Sequence, residues 1–180
     1  MTRTPPTSDV QDSADSRQKL ETLFADAHGE ILGTLFYLVG NIEDARDALQ
    51  ETFLKCWRHQ EQMAEVANLR AWVFRVALNT GRDCRKAAWN RRRQSLVEDV
   101  IMVSTADGPD AGLERDEQTQ VLRHAVLKLR PEEQEVFLLR QNGDFTYEQI
   151  AEATSLPVGT VKTRMRAAIR RLREAVGEQS

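Results

Sequence analysis

The sequence predicts an all-α protein made of two small helical domains joined by a flexible linker. Three features of its 180 residues indicate this fold. Apolar residues recur at helical spacing up to residue 94 and again after residue 118, and no alternating strand pattern is present. Between these parts the periodicity stops in an acidic stretch centred on STADGPDAG, which is typical of an interdomain linker. We therefore expect a disordered arm (1–17), a first domain (18–94), an acidic linker (95–118) and a second domain (119–176).

The arm and the first domain are predicted from composition and capping signals. Residues 1–17 are dominated by Thr, Ser, Pro and Asp and offer almost nothing to bury. Asn41 is predicted to cap a helix whose first turn carries Glu43 and Asp44, because acids stabilise the positive end of a helix. A second long helix is predicted over about residues 69–90. The apolar faces of the two helices contain Ile42, Ala45, Leu49, Phe53, Cys56 and Trp57, and then Leu69, Trp72, Val73, Val76, Ala77, Thr80 and Cys84.

The second domain carries stronger local signals. Pro131 suits the first turn of a helix, and the pair Asn142 and Gly143 is a good stop signal. Thr146 and Gln149 fit a capping box that opens another helix. This helix meets a turn over residues 154–157, and a basic helix follows from about residue 158 to 173. Two short helices joined by a tight turn, the second one basic, describe a helix-turn-helix. Its predicted packing residues are Ile150, Ala151, Leu156, Val161 and Met165.

Charge is segregated along the chain, although the net charge is only −3. Basic residues cluster over 82–93 and 155–173, whereas the stretch over 98–117 between them is acidic. Two basic patches on either side of an acidic tether indicate two anion-binding modules. In the first patch Arg75, Asn79, Arg82 and Lys86 share one helix face, which either follows a phosphate backbone or is merely solvated. Trp89 lies among these bases and either stacks on a nucleobase or packs in the core.

Other classes of protein are disfavoured. No segment reaches the roughly 18 to 20 apolar residues of a membrane span, and the N-terminus lacks the apolar part of a secretory signal. Cys56 and Cys84 form no CxxC pair, which predicts a reducing, cytoplasmic setting and neither a disulfide nor a metal site. The three histidines are far apart, and there is no Gly-rich phosphate loop or nucleophile–base pair. We therefore expect no enzyme activity and no cofactor.

Five motifs follow one another along the chain: ARDALQETF (45–53), LRAW (69–72), LRPEEQEV (129–136), TYEQIA (146–151) and GTVKTR (159–164). In this order they resemble the sigma factors of RNA polymerase, in the sigma-70 family and its extracytoplasmic-function (ECF) type. The resemblance covers about residues 20–93 and 120–174, and it departs from the family at Ser155, where the turn often has Gly. We expect Ser155 to adopt the left-handed turn conformation at modest cost.

The resemblance implies a protein that binds the clamp and flap of core RNA polymerase and directs it to promoter DNA. It implies that the first domain binds the −10 element and holds the melted strand, with the segment over 60–70 capturing a flipped base. The second domain would read the −35 element. Members of the family are often held inactive by a dedicated protein, which implies an anti-sigma factor acting in trans. The competing interpretation is a conventional dimeric helix-turn-helix regulator that binds a palindrome without polymerase.

The residues that the resemblance assigns to these roles form three sets. The −35 set is Thr160, Lys162, Thr163, Arg164, Arg166 and Arg170. The −10 set is Asn68, Arg75, Asn79, Arg82, Lys86, Arg91, Arg92 and Arg93. The polymerase set is Asp44, Asp47, Gln50 and Glu51.

Overall fold

The structure, a computed structural model, describes residues 7–94 and 117–177 and confirms the all-α prediction: within these ranges every element is helical. None of the helices in these ranges is long and apolar enough to cross a membrane. The first half of the chain forms α1 (Thr7–Asp26), α2 (His28–Val39), α3 (Ile42–Arg58), a 3-10 helix (Gln60–Glu65) and α4 (Leu69–Gln94). The second half forms α5 (Glu117–Leu127), α6 (Pro131–Gln141), α7 (Tyr147–Thr154) and α8 (Val158–Gly177).

The core of the first domain lies between α2, α3 and α4. Asn41 caps α3 as predicted, because its Oδ1 accepts the backbone N–H of Asp44 at 2.8 Å. The apolar stripe of α3 faces this core, although Leu49, Phe53 and Trp57 are only partly buried. Thr52 of the same helix is fully buried. Its hydroxyl is satisfied there because it donates to the carbonyl of Ala48 at 2.6 Å. Helix α2 contributes a nearly continuous apolar surface that contains Ile31, Leu32, Leu35, Phe36 and Leu38.

The N-terminal arm differs from the sequence prediction, because α1 begins at Thr7 and residues 7–17 are helical. The physical reason is that α1 is anchored further along: Leu20 is fully buried and Phe24 stacks edge-on against Phe53 at 5.1 Å. Arg17 also lies over the Trp57 ring and donates to Gln60 at 3.0 Å. Once such a segment is helical, extending it costs little per residue.

The second domain packs α5 and α6 against α8, and α7 closes one end. Pro131 starts α6 and Gln141 ends it, as the sequence predicts. Two polar residues of α6 are buried with partners inside the domain. Gln134 donates to the carbonyl of Val126 at 3.0 Å, and Glu133 pairs with Arg171 at 3.0 Å. The predicted linker over 95–118 lies outside the described residues except for 117 and 118, which belong to α5.

The two domains are in direct contact. Helix α4 packs against α7, and α2 packs against α6 and α5. At the centre, Phe74 of α4 meets Phe145, in the turn before α7, edge-to-face with ring centroids 5.0 Å apart. Both rings are almost completely buried. Phe74 and Leu78 are both fully buried although they lie outside the predicted apolar stripe of α4, and the contact with Phe145 accounts for Phe74.

Candidate nucleic-acid interface

The helix-turn-helix is built by α7 and α8 on strong local signals. Thr146 caps α7: its hydroxyl accepts the N–H of Gln149 at 3.2 Å, and the Gln149 side chain accepts the N–H of Thr146 at 2.8 Å. The predicted capping box is therefore present. Ile150, Val161 and Met165 hold the two helices together from inside, each almost fully buried. This packing leaves the opposite face of α8 free to meet a ligand.

The turn between α7 and α8 depends on an unusual backbone conformation. Ser155 has φ 57° and ψ 40°, in the left-handed region. The N–H of Leu156 then reaches back to the carbonyl of Ala151 at 3.0 Å, which closes the end of α7. Since a residue with a Cβ pays about 1–2 kcal/mol in this region, Ser155 is a strained position that Gly would fill without that cost. The predicted left-handed conformation of Ser155 is confirmed.

Replacing Ser155 by Gly is expected to raise the free energy of unfolding by about 0.5–1 kcal/mol. The relief of left-handed strain exceeds the extra entropy that Gly gains in the unfolded chain. Thermal unfolding followed by circular dichroism measures this, with Ser155→Ala as the control because it keeps the Cβ and the strain. Equal stability of the Gly and Ala variants would contradict the strain argument.

The outward face of α8 presents the −35 set predicted from the sequence. Lys162, Thr163, Arg166 and Arg170 are exposed, whereas Thr160 and Arg164 are half-buried. The Lys162 ammonium lies over the Tyr147 ring at 5.9 Å, and the Thr163 hydroxyl donates to the carbonyl of Gly159 at 2.9 Å. Arg170 makes only a loose exposed contact, 3.9 Å from Glu174. Near its N-terminal end α8 therefore carries accessible donors suited to base edges and phosphates in a major groove.

Only part of the basic face of α4 is exposed to solvent. Asn79 and Lys86 are exposed, but Arg75 and Arg82 are half-buried against the second domain. Arg82 donates to both carboxylate oxygens of Glu135, from Nε at 2.7 Å and from Nη2 at 2.5 Å. This bond to Glu135 raises the pKa of Arg82 above its ordinary value. The structure thus brings together residues that the sequence separated into different modules.

Arg75 and Asn79 complete this arrangement. The Arg75 guanidinium donates to two carbonyls at the C-terminal end of α7, those of Glu152 and Ala153. Asn79 accepts a bond from Arg82 Nη1 at 2.9 Å. Glu135 was not among the residues predicted from the sequence. Only the burial of Glu135 in the fold marks it as a partner, and burial cannot be read from the sequence.

The rest of the −10 set occupies the two ends of α4. Asn68 caps the helix, because its Oδ1 accepts the N–H of Ala71 at 3.0 Å. Arg91 is exposed in the last turn, and the side chains of Arg92 and Arg93 lie outside the described part of the chain. Trp89 is 60% exposed, so it does not pack in the core. The core-packing interpretation of this ring is therefore wrong, and its stacking on a nucleobase stays a prediction.

The acidic face of α3 is the third predicted surface. Asp47 and Gln50 are exposed. Glu51 is half-buried and lies 3.7 Å from Lys55, whose ammonium also donates to Thr80 of α4 at 3.2 Å. Asp44 is half-buried as well and takes part in the cap of α3, since its Oδ2 accepts a bond from the Asn41 amide at 2.7 Å. Asp47 and Gln50 are therefore the members of this set that are most available to a partner.

The two thiols are poor nucleophiles at neutral pH. Burial raises the pKa of Cys56 to about 12, and burial also raises the pKa of Cys84 while Lys55 opposes the shift. Because the thiolate is the reactive form, Cys56 stays protonated and inert in the folded chain. Within the described residues, no group of three or more His, Cys, Asp or Glu side chains is arranged to hold a metal ion.

Comparison with known proteins identifies the family of the two domains. The profile described as Sigma-70 region 2 matches residues 23–94, and the profile described as Sigma-70, region 4 matches residues 119–172. Two solved structures of protein complexes share the fold. The sigma factor RpoE in complex with the anti-sigma factor NepR from Bartonella quintana superposes with a TM-score of 0.72 at 24% identity, covering 91% of this chain and 97% of that one. CnrH in complex with the cytosolic domain of CnrY gives 0.68 at 20% identity, covering 95% and 96%.

Curated relatives extend over most of the chain. The RNA polymerase sigma factor YlaC of Bacillus subtilis is 28% identical over 158 residues, which cover 84% of this chain and 88% of the relative. The ECF RNA polymerase sigma factor SigL of Mycobacterium tuberculosis is 30% identical over 173 residues, which cover 94% of this chain and 96% of the relative. The chain therefore belongs to the sigma-70 family of RNA polymerase sigma factors, in its ECF type.

Proposed function

We propose that this chain binds core RNA polymerase, recognises the −10 and −35 elements of a promoter, opens the strands locally and starts transcription. The observation that supports this best is the combination of a helix-turn-helix that exposes Lys162, Thr163 and Arg166 with a second basic helix in the region 2 match. A conventional dimeric regulator needs one DNA-reading module per chain, whereas this chain carries two. Residues 18–94 are assigned to the −10 element and residues 119–176 to the −35 element.

The second domain is proposed to read the −35 element through α8. Lys162, Thr163 and Arg166 would contact base edges, and Arg164 and Arg170 would contact phosphates. The capping box and the buried contacts of Ile150 and Val161 support this role, because they hold the reading helix on a rigid base. Thr160 belongs to the first turn of the same helix and would approach the backbone.

The first domain is proposed to bind the −10 element. The 3-10 helix over 60–65 and the following turn to Asn68 would hold a flipped base, with Arg75, Asn79, Arg82, Lys86 and the basic end of α4 along the backbone. Exposed Trp89 offers a stacking surface to an unpaired base on that path. Strand opening then needs no catalytic residue and no cofactor, since preferential binding of the unpaired strand shifts the duplex equilibrium.

Partners follow from these assignments. Asp47, Gln50 and their neighbours on α3 would bind the polymerase clamp, and the second domain would contact the flap. Because its proposed ligands are DNA and RNA polymerase, the protein is proposed to act in the cytoplasm. An anti-sigma factor acting in trans is proposed as well: the two structurally similar proteins above were both captured with a protein bound, in one case a named anti-sigma factor.

The test of this function is run-off transcription with purified bacterial core polymerase on a pool of promoter fragments, with and without this protein. We expect initiation only when the protein is present, from start sites that share two separated elements. Absence of initiation, together with tight binding of the free protein to a palindrome, would overturn the proposal in favour of a dimeric regulator.

Reversing charge on the acidic face of α3 is expected to weaken polymerase binding. Asp47→Lys with Glu51→Lys should lower the affinity for core polymerase about ten- to a hundredfold, because two complementary charges become repulsive. Fluorescence titration of labelled core measures this. Glu21→Lys with Asp26→Lys, two exposed acids of α1, makes the same charge change and is expected to have little effect. Equal losses in both double variants would contradict the assignment to α3.

A further inference from the structure

The 3-10 helix (Gln60–Glu65) has little to hold it from inside the first domain. Among its described side chains only Met63 is buried. Three others are exposed: Glu61, Gln62 and Glu65. The hydrogen bonds of a 3-10 helix have poorer geometry than those of an α-helix, so such a segment is weakly fixed by its own backbone. Its orientation therefore depends on what packs beside it.

Helix α1 packs beside the 3-10 helix and contacts it through Arg17. The Nε of Arg17 donates to the Oε1 of Gln60 at 3.0 Å. The same guanidinium lies over the Trp57 ring, 5.5 Å from its centre. Trp57 belongs to the last turn of α3, whereas Gln60 opens the 3-10 helix. One side chain thus contacts both sides of the junction at His59, where the chain passes from one helix to the next.

The position of Arg17 is itself fixed, because α1 is anchored on the same end of α3. Arg17, Leu20 and Phe24 are spaced i, i+3 and i+7, so they share one face of α1. Leu20 is fully buried, and Phe24 packs edge-on against Phe53 at 5.1 Å. Phe53 in turn lies 5.6 Å from Trp57. A row of three rings therefore leads from α1 to the ring over which Arg17 lies.

We propose that Arg17 is a positioning residue for strand opening, which holds the 3-10 helix and the turn to Asn68 ready for the flipped base. This inference rests on the proposed function of the segment over 60–68. A segment that already has its binding conformation pays less ordering entropy when the base arrives. Without Arg17 the segment samples other orientations, and only the competent fraction captures the base. The −35 and polymerase sets lie on other helices, so initial promoter binding is unaffected.

Amide hydrogen exchange of the free chain tests the structural part of this proposal. The N–H of Val66 donates to the carbonyl of Met63 at 3.2 Å, so its exchange reports opening at the end of the 3-10 helix. Arg17→Ala should speed this exchange about two- to fivefold, since it removes one cation–π contact and one hydrogen bond. Lys19→Ala removes the same charge from α1, but Lys19 pairs with Asp15 of its own helix at 2.5 Å. That control should match the wild type.

A pair of glutamines makes the test specific to the contact. Gln60→Ala should speed the exchange of Val66, and combining it with Arg17→Ala should add little, because both changes break one hydrogen bond. Gln62→Ala removes an exposed glutamine from the same 3-10 helix and should leave the exchange of Val66 unchanged. Equal exchange in the wild type and Arg17→Ala, or equal effects of the two glutamine variants, would overturn the proposal.

The functional readout is the rate of strand opening by the holoenzyme, followed by 2-aminopurine fluorescence in the −10 element. Arg17→Ala should slow opening about two- to fivefold on a duplex promoter and leave the affinity of the initial complex unchanged. On a promoter mismatched over the −10 element the variant should match the wild type, because the strands are already unpaired. Arg17→Lys keeps a cation near Trp57 and should lie between the two proteins.

The two promoters separate positioning from a general loss of folded protein. An equal defect of Arg17→Ala on the duplex and the mismatched promoter would overturn the positioning role, since a smaller amount of active protein affects both alike. An unchanged opening rate on the duplex would overturn it as well. The exchange measurement contains neither polymerase nor DNA. A wild-type chain that fails to start transcription overturns the proposed function, whereas unchanged exchange in Arg17→Ala overturns this inference alone.

Discussion

The double variant Lys162→Glu with Arg166→Glu is expected to weaken binding of the holoenzyme to its promoter by at least about thirtyfold. Both side chains are exposed on the outward face of α8, near the end that would enter the major groove. A contact to a base edge contributes about 1–3 kcal/mol, so two lost contacts remove about 2–6 kcal/mol, and the repulsion of Glu by phosphate adds to this. Filter binding at several salt concentrations measures the loss and should show a shallower salt dependence.

The control for this double variant is Lys128→Glu with Arg130→Glu. These two bases are exposed at the junction of α5 and α6, outside α8, and the change in net charge is the same. The control should keep most of the promoter affinity, and polymerase binding of both double variants should match the wild type. If the two double variants lost affinity equally, α8 would contribute only general charge and the −35 assignment would fail.

Truncation of Phe74 to Ala is expected to lower the free energy of unfolding by about 3–5 kcal/mol, which is the cost of emptying a fully buried aromatic site. Phe74 is completely buried, and its ring contacts both the Phe145 ring and the Arg70 guanidinium. The loss therefore includes the edge-to-face contact between the domains in addition to the transfer of the ring out of water. Urea unfolding followed by circular dichroism measures the change.

Trp89, which lies in α4 like Phe74, supplies the control for this prediction. Trp89→Ala deletes a larger ring from α4, but that ring is 60% exposed, so its loss should change the free energy of unfolding by no more than about 0.5 kcal/mol. Phe74→Leu should lie between the two, because it keeps much of the volume. Similar stabilities of Phe74→Ala and Trp89→Ala would show that the buried ring contact between the domains contributes nothing.

Local signals predicted several helix ends and one turn of this chain. The caps at Asn41 and Thr146, the start of α6 at Pro131 and the left-handed turn at Ser155 all lie where the sequence placed them. Each depends on hydrogen bonds or backbone conformations that span about four residues, so the responsible residues are neighbours in the sequence. The apolar stripe of α3 was read in the same way, and the structure adds Ala48 and Thr52 to the buried residues.

The start of α1 shows where prediction from local composition fails. Residues 7–17 have a composition typical of disorder, yet they extend a helix that is anchored by Leu20 and by the contact of Arg17 with Trp57. The composition of a segment describes what it can bury by itself. It does not describe what the rest of the chain offers as an anchor.

By itself, the sequence determined the all-α fold, several helix ends, the helix-turn-helix and the segregation of charge, because these depend on neighbouring residues. Only the tertiary structure decided which of the charged residues are free. Arg82 bonds to Glu135, which lies 53 positions away in the sequence. Arg75 bonds to the end of α7, 77 and 78 positions away, and the Phe74 ring packs against Phe145. These contacts arise from the docking of one folded domain on another, where shape, burial and charge act together, and no local pattern in the chain encodes that sum.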